Sequence, residues 1–525
     1  MLVWEDLRVR TISSRFVALL AIPLLSPVFG AVAEAATAQL PSERASVRFL
    51  QQCTFGPTPD LIQRVQQLGF EGFLDEQFAL AASTYPDPVP DSNGKTHWLP
   101  TQQRFFVNAI TGPDQVRQRM AWALLQIWVV SGVKLTRPEQ MLPYVRMLQN
   151  DAFGHFRTLM EDITLSPAMG HYLDMVNNNK PTAGKGANEN YARELLQLFS
   201  IGLQKLNADG SPQLDASGKP VATYDQEAIE ELARVFTGWT YAPLSGATSK
   251  WTNPGNWNAP LVAFDAHHDQ LAKNLFNGIA IPAGQSAKAD LDQALDAISH
   301  HPNVAPFISR NLIQHFVTGE PSPQYVQDVA ATFVSSNGDL KQVLRAILLN
   351  PEARAGDDSA TPAAFDGQLR EPALFITGLV RALGATVAEV NGLPGWSNTL
   401  SQNIFFPPTV FNYYAPSYEI PKTPLNAPEF QIDSGSLAMA RADFVNSLVY
   451  GKIAGVTVNL APFASLAAAP GALLGHVNQL FLHGSMDTRM RDALATAMSA
   501  QPNAKSAAQT ALYLVGSSQQ YQVTR

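Results

Sequence analysis

Residues 113–131, PDQVRQRMAWALLQIWVVS, place the tightest limit on the fold. Met120, Leu124, Ile127 and Trp128 recur near helical spacing, and apolar residues also fill the other faces of the same stretch. A helix that is apolar on most sides has to be surrounded, so the fold must supply further layers around it. The helical period returns at 40–80, 138–162, 288–350 and from 435 onward. Thr58-Pro59, Ser166-Pro167 and Ser322-Pro323 read as helix starts, with the hydroxyl as cap and the proline in the first turn. Asp290 and Pro302 read as further starts, and Gly69 as a helix end.

Between these helices lie segments of another character. Residues 83–100 read as a loop, and 355–365 as a polar break. Residues 203–224 hold two turn signals, Asn207–Gly210 and Asp215–Gly218, flanked by short alternating runs, which predicts a small β-hairpin insertion. A capping box from Thr223 to Gln226 then opens a helix that ends at Gly238. Residues 240–285 and 391–434 are rich in Pro, Asn and aromatic residues and predict two long irregular loops. Loops of that length inside a domain are often functional, and the two are expected to cover one polar pocket together with the helix that starts at Asn188. The predicted fold class is therefore mainly α: a multi-helical fold with a small β-hairpin insertion and long irregular loops.

The N-terminus predicts a destination. Arg8, Arg10 and Arg15 precede an apolar run at 16–30, and Ala33-Glu34-Ala35 supplies a small-residue cleavage site. This is the pattern of a Sec-type signal peptide at 1–35. Val9 separates Arg8 from Arg10, so a twin-arginine signal is not formed. The run is short and contains Pro23, which argues against a permanent span. The chain is expected to be exported, periplasmic or extracellular, with no stable transmembrane span after cleavage. Residues 36–434 are expected to form the main helical domain, and 435–525 a C-terminal helical segment packed on it.

Charge narrows the partners. The chain has 36 Lys and Arg against 44 Asp and Glu, a net charge of −8, and no basic stripe interleaved with aromatics. Nucleic acid is excluded as a partner because phosphate binding needs a cationic footprint. Cys53 is the only cysteine, so no intrachain disulfide forms, and it reads as a small buried apolar residue. Familiar chemical motifs are absent from the sequence: H-E-x-x-H, G-x-S-x-G, C-x-x-C-H and the P-loop. The turn motifs at 207–218 do not follow the order of a calcium-binding EF-hand, since Lys205 stands at its first position. No motif names a cofactor or a metal.

The polar constellations are few. In NENYARELLQLF, residues 188–199, the positions Ala192, Leu195, Leu196 and Phe199 make one buried face. Asn190, Arg193, Glu194 and Gln197 make another. Asn188 is placed to cap the helix, and Glu189 to pair with Arg193 at i, i+4. Such a set reads either as the wet start of a buried helix or as a polar-ligand site with Glu189 and Glu194 as acid and base. His268 and Asp269, in FDAHHDQLAK, are a pair able to ligate a metal or move a proton if other elements supply partners. His301, before Pro302, reads as a cap or a buried donor. Arg370 and Glu371 in LREP, and Glu429 in NAPEF, each stand beside a proline and read as rigid polar anchors.

Taken in order, FLQQCTFGPT, LSPAMGHYLD, NENYARELLQLFSIGL, LNADG, TYDQEAIEELARVFTGW, HHDQLAK, HPNVAPFISRNLIQHFV, PSPQYVQDVA, LREP, PPTVFNYYAP and NAPEFQI resemble the bacterial domain-of-unknown-function family 1800. The resemblance spans about 44–525. It implies an exported protein and singles out Asn188, Glu189, Asn190, Arg193, Glu194, His268, Asp269, His301, Arg370 and Glu371. It also implies an exported partner from domain-of-unknown-function family 1501, which resembles sulfatases of the alkaline-phosphatase type. Three functions are carried forward. The first is an exported cell-envelope protein working with that partner. The second is a hydrolase of envelope or extracellular polysaccharide using Glu189 and Glu194, which needs two carboxylates about 5–9.5 Å apart. The third is a periplasmic metal or small-ligand binder using His268 and Asp269.

Overall fold

Every residue of the Gln115–Ile127 helix except Arg117 is buried, as its apolar faces require. The surrounding layers come from the helices Glu43–Cys53, Pro59–Ala79, Trp98–Thr111, Pro138–Asp151 and Val304–Phe316. The computed structural model describes residues 40–358 and 367–524. The signal peptide read at 1–35, and most of the polar break read at 355–365, lie outside the described residues. Among the described residues there are 22 α-helices and four two-stranded antiparallel sheets, so the chain is mainly helical. No helix among them is long and apolar enough to cross a membrane.

The helices stack largely with their sequence neighbours. Glu43–Cys53 packs on Pro59–Ala79, Gln115–Ile127 on Pro138–Asp151, and Asn190–Gln197 on Gln226–Val235. Val304–Phe316, Pro323–Ser335 and Leu340–Leu349 form a continuous group of three. From Gly435 the helices pack on one another, and Pro470–Leu482 returns to the first helix. The C-terminal residues Val523–Thr524 pair with Gln368–Leu369 in the middle of the chain.

Two buried features lock the centre. The Pro372–Ala382 helix has all 11 residues buried. Its Arg381 donates to the Gly56 carbonyl at 2.8 Å and to Ala109 and Ile110 O, closing the open carbonyl end of the Trp98–Thr111 helix. Gly56 lies against this helix so closely that a Cβ there would stand 2.6 Å from the Gly378 Cα, and its φ is +130°.

Several helix starts occur where the sequence places them. Thr58 Oγ1 accepts from Leu61 N, and Ser322 Oγ from Tyr325 N. Others differ for local reasons. The helix around Asp290 is capped by Ser286, and Asp290 sits one turn inside because its carboxylate serves buried partners. Asp225, not Thr223, caps the Gln226–Val235 helix, while Thr223 Oγ1 receives the Asn303 amide. Gly69 ends one helical stretch as read: it stands at the non-helical φ +71°, and a second stretch continues from the kink to Ala79. The insertion at 203–224 has both expected turns, closed by Gly210 N to Asn207 O and Gly218 N to Asp215 O. Its pairing consists of isolated antiparallel bridges, Gln204 with Ala222, Leu206 with Pro212 and Leu214 with Pro220, rather than a continuous ladder. The last two bridges are held by the N–H groups beside the prolines, Asn207 N to Ser211 O and Gln213 N to Lys205 O around Pro212, and Asp215 N to Lys219 O and Val221 N to Gln213 O around Pro220. Cys53 is buried, and burial pushes its thiol up to about 12.

Candidate functional site

The residues singled out by sequence fall into three places. The first is the start of the Asn190–Gln197 helix. Glu189, rather than Asn188, occupies its cap position, and Asn188 Oδ1 accepts from Asn190 N at 2.9 Å. Glu189 pairs with Arg193 at 2.7 Å and accepts from Gln226 at 2.9 Å, all half-exposed or exposed. Asn190 donates to Asp174 at 2.9 Å. Glu194 points elsewhere: one carboxyl oxygen is buried without a hydrogen-bond partner among the described residues, and burial raises its pKa against the opposing effect of Arg193.

The second place is a buried ionic knot. His268 is fully buried, with Nε2 3.1 Å from Asp290 and Nδ1 3.0 Å from the Thr237 carbonyl. Lys273 joins Asp290 at 2.6 Å. Burial works to raise the Asp290 pKa, but the hydrogen bonds from His268 and Lys273 outweigh it and the pKa falls. Asp269 faces away, held by two bonds from Arg234 at 2.8 and 3.1 Å. Both His268 nitrogens are therefore occupied, and no group of three or more His, Cys, Asp or Glu able to hold a metal ion exists among the described residues. His301 is buried apart from both, its Nδ1 3.1 Å from Asn303 N, and burial followed by Lys205 lowers its pKa to about 4.

The third place is centred on Glu371. Pro372 opens the central helix and leaves Glu371 at its cap position, while Gln402 accepts from Ala373 N at 2.7 Å. Glu371 takes four donors: Trp122 at 2.6 Å, Gln126 at 3.3 Å, Gln402 at 2.6 Å and Tyr414 at 2.7 Å. These bonds pin the irregular segment of residues 400–417 to the core, helped by Gln102 to Ile404 O and Ser131 to Pro407 O. Arg370 lies behind, stacked 4.5 Å over Tyr521 and bonded to its carbonyl.

In front of this network is a cavity of about 460 Å³. Its walls come from the ends of the Gln115–Ile127 and Asn190–Gln197 helices, the start of the insertion, the Val304–Phe316 helix and the irregular segment. Leu198, Ile201, Phe307 and Val410 make it apolar, with Gln126, Asn311, Asn412 and Tyr414 as polar points. Leu203 and Phe411, both exposed, are among its lining residues.

Glu429 lines the same cavity and is 4 % exposed, with one carboxyl oxygen that has no partner among the described residues. Burial, reinforced by Glu371, raises its pKa to about 8 despite Arg119 and Arg441 nearby. His315 lines the cavity too, and burial lowers its pKa to about 4. Arg119 donates to the His315 carbonyl, stacks 4.9 Å from the Phe316 ring centre and leaves two nitrogens without a hydrogen-bond partner among the described residues. At neutral pH the site thus combines a protonated carboxyl, a neutral imidazole and a phenol, Tyr414, whose ionisation burial and Glu371 push far up. It is equipped to donate or accept a proton in a largely apolar cavity.

The structure thus brings Glu371 next to a pocket, but through a residue that sequence reading left as an anchor. Glu429 carried one visible signal, an acid set between Pro428 and Phe430. The expectation that both long loops close one polar pocket is not met. The 391–434 segment meets the Gln197 end of the helix, whereas the 240–285 segment packs at its opposite side, with Lys180 N bonded to the His267 carbonyl at 2.9 Å. No curated protein and no solved structure matches the chain. The family model described as "Protein of unknown function (DUF1800)" matches residues 48–523, and the chain belongs to that family.

Proposed function

We propose that this is an exported protein that takes a small amphipathic molecule into the cavity beside Glu429, with the protonated Glu429 carboxyl as its hydrogen-bond donor. The observation that carries the reading is an apolar pocket of about 460 Å³ containing a buried acid with a pKa near 8 and an unfilled oxygen. Ligand sites are typically apolar concavities with a few convergent polar groups. The signal pattern at 1–35 supports export, and the family resemblance supports an exported partner of family 1501. Neither bears on what fills the cavity.

The test is a fluorescence titration with the neutral apolar probe N-phenyl-1-naphthylamine. Saturable binding to the wild-type chain is expected at neutral pH, and its loss in Val410→Trp, which fills the space. Binding should weaken as pH rises through about 8, where Glu429 ionises, and the Glu429→Gln variant should lose that dependence. Equal binding in wild type and Val410→Trp would sink the proposal.

A hydrolytic reading has its own support. A carboxyl kept protonated at neutral pH is suited to act as general acid on a leaving oxygen, and the neutral His315 ring is a base in the same cavity. In this reading Glu429 replaces Glu189 and Glu194 as the acid. Turnover of aryl ester or glycoside substrates that falls in Glu429→Gln while Glu189→Gln stays active is the expected result.

A further inference from the structure

A second cavity, of about 530 Å³, lies on the far side of the same helix, lined by residues 174–188. It differs from the Glu429 cavity in chemistry. Its side chains include Asn177, Asn179, Asn188, Lys180 and Lys185. The amide oxygens are already engaged. Asn188 Oδ1 accepts from Asn190 N at 2.9 Å, Asn177 Oδ1 from Thr240 Oγ1 at 2.6 Å, and Asn179 Oδ1 from His267 Nδ1 at 3.3 Å. The orientation at Asn188 is forced, because a backbone N–H has only an oxygen to bond there. What remains is the Nδ2 of all three amides and the Nζ of both lysines, none with an acceptor among the described residues.

The one carboxylate in the cavity does not counter them. Asp174 has one oxygen 2.6 Å from Lys134 Nζ and the other 2.9 Å from Asn190 Nδ2. The cavity is therefore an open cleft lined by Thr182, by three asparagines with free amide N–H groups and by two lysines, all exposed but for the half-buried Asn177, on a chain of net charge −8. A polyol would find few acceptors here for its hydroxyl protons. A group made only of acceptors and carrying negative charge satisfies every donor. We infer that this cleft is an oxyanion site, taking a phosphate or sulfate group, free or carried on a sugar.

The measurement is calorimetric titration of the chain lacking residues 1–35 with inorganic phosphate, inorganic sulfate, glucose 6-phosphate and glucose 6-sulfate, with chloride as the control. Saturable one-to-one binding of the oxyanions and none of chloride is expected. Affinity should drop about tenfold or more in Lys180→Ala/Lys185→Ala and in Asn188→Asp, since each removes or opposes a charge-assisted hydrogen bond. Asn188→Asp keeps the oxygen that bonds Asn190 N and puts a negative charge at a helix start, where it does not harm the helix. Its melting temperature should therefore not fall, which separates lost binding from lost folding. Equal affinity for free and sugar-borne groups supports the site with a free anion as its source, and tighter sugar-borne binding supports it with a sugar. No saturable binding by any of the four, or binding that persists in both variants, overturns the inference. Binding that disappears in Glu429→Gln would move the anion to the other cavity and overturn it equally, so the two sites fail separately.

Discussion

Replacing Glu429 by glutamine keeps the shape of the protonated side chain and removes its proton. In the wild-type chain the carboxyl has a pKa near 8 when folded, against an ordinary value of 4.5. Its folded pKa is raised, so its stabilising contribution is fully present below 4.5 and is lost as pH rises toward 8. In that window the unfolded chain releases a proton that the folded chain holds. At about 1.36 kcal/mol per unit, the cost is about 3 kcal/mol at pH 7 and levels off at about 5 kcal/mol above pH 8. Glutamine pays none of it. Any cost of burying the amide is independent of pH and cancels in the comparison, as do the other shifted groups common to both chains. For a chain near 500 residues, unfolding entropy converts about 1 kcal/mol to roughly 1 °C. Glu429→Gln should therefore gain on the wild type by about 4 °C more at pH 9 than at pH 5, read from intrinsic fluorescence during heating. A melting-temperature gap that does not change with pH would show that Glu429 is ionised in the folded state. The proposed donor would then be gone.

Other substitutions test the frame around the sites. Asp290→Asn strands the buried Lys273 ammonium and should cost about 3–5 kcal/mol in thermal or urea unfolding, whereas Glu189→Gln, which breaks a half-exposed pair, should cost no more than about 1 kcal/mol. Because hydrogen bonds hold the Asp290 and Asp269 pKa values below 3.8, their contribution is present above that value and is lost as pH falls below it, so the melting temperature should drop in strong acid. Gly56→Ala places a Cβ against the Gly378 backbone at a left-handed φ, and the variant should accumulate poorly or melt well below the wild type. Mass spectrometry of protein secreted from intact cells should find the mature chain beginning near residue 36.

The helical class was readable because its signals are local. Ala192, Leu195, Leu196 and Phe199 are all fully buried, as are Met120 and Trp128, and the period alone predicts that. Thr58 and Ser322 cap where they stand because a hydroxyl can accept from the helix and donate elsewhere at once: Ser322 Oγ accepts from Tyr325 N while its proton goes to Glu352. Asp290 fails as a cap for the opposite reason. Its carboxylate is claimed by Lys273 and His268, which reach it from 17 and 22 positions away in the chain. The insertion at 203–224 shows both outcomes at once. Its turns are set by Gly210 and Gly218 and appear as read, while its pairing stays at isolated bridges because three short runs share their bonds, Lys205 N to Val221 O, Gln213 N to Lys205 O and Val221 N to Gln213 O.

The site was illegible for a reason that also explains how it works. Glu371 and Glu429 are both acids beside prolines, and a sequence offers no way to tell which of two such anchors will be satisfied. The fold decides it. Glu371 sits at the start of a helix whose neighbours bring four donors, so its charge is absorbed by the very bonds that hold the 400–417 segment in place. Glu429, on the last part of that irregular region, arrives where those donors are already spent, and one of its oxygens stays unfilled. The first carboxylate adds repulsion to the burial that raises the pKa of the second. Burial is the main reason that Glu429 stays an acid at neutral pH, and the satisfied Glu371 adds to it. Changing Gln402, which donates to Glu371 and accepts from Ala373 N but does not line the cavity, should therefore move the pH at which the cavity responds.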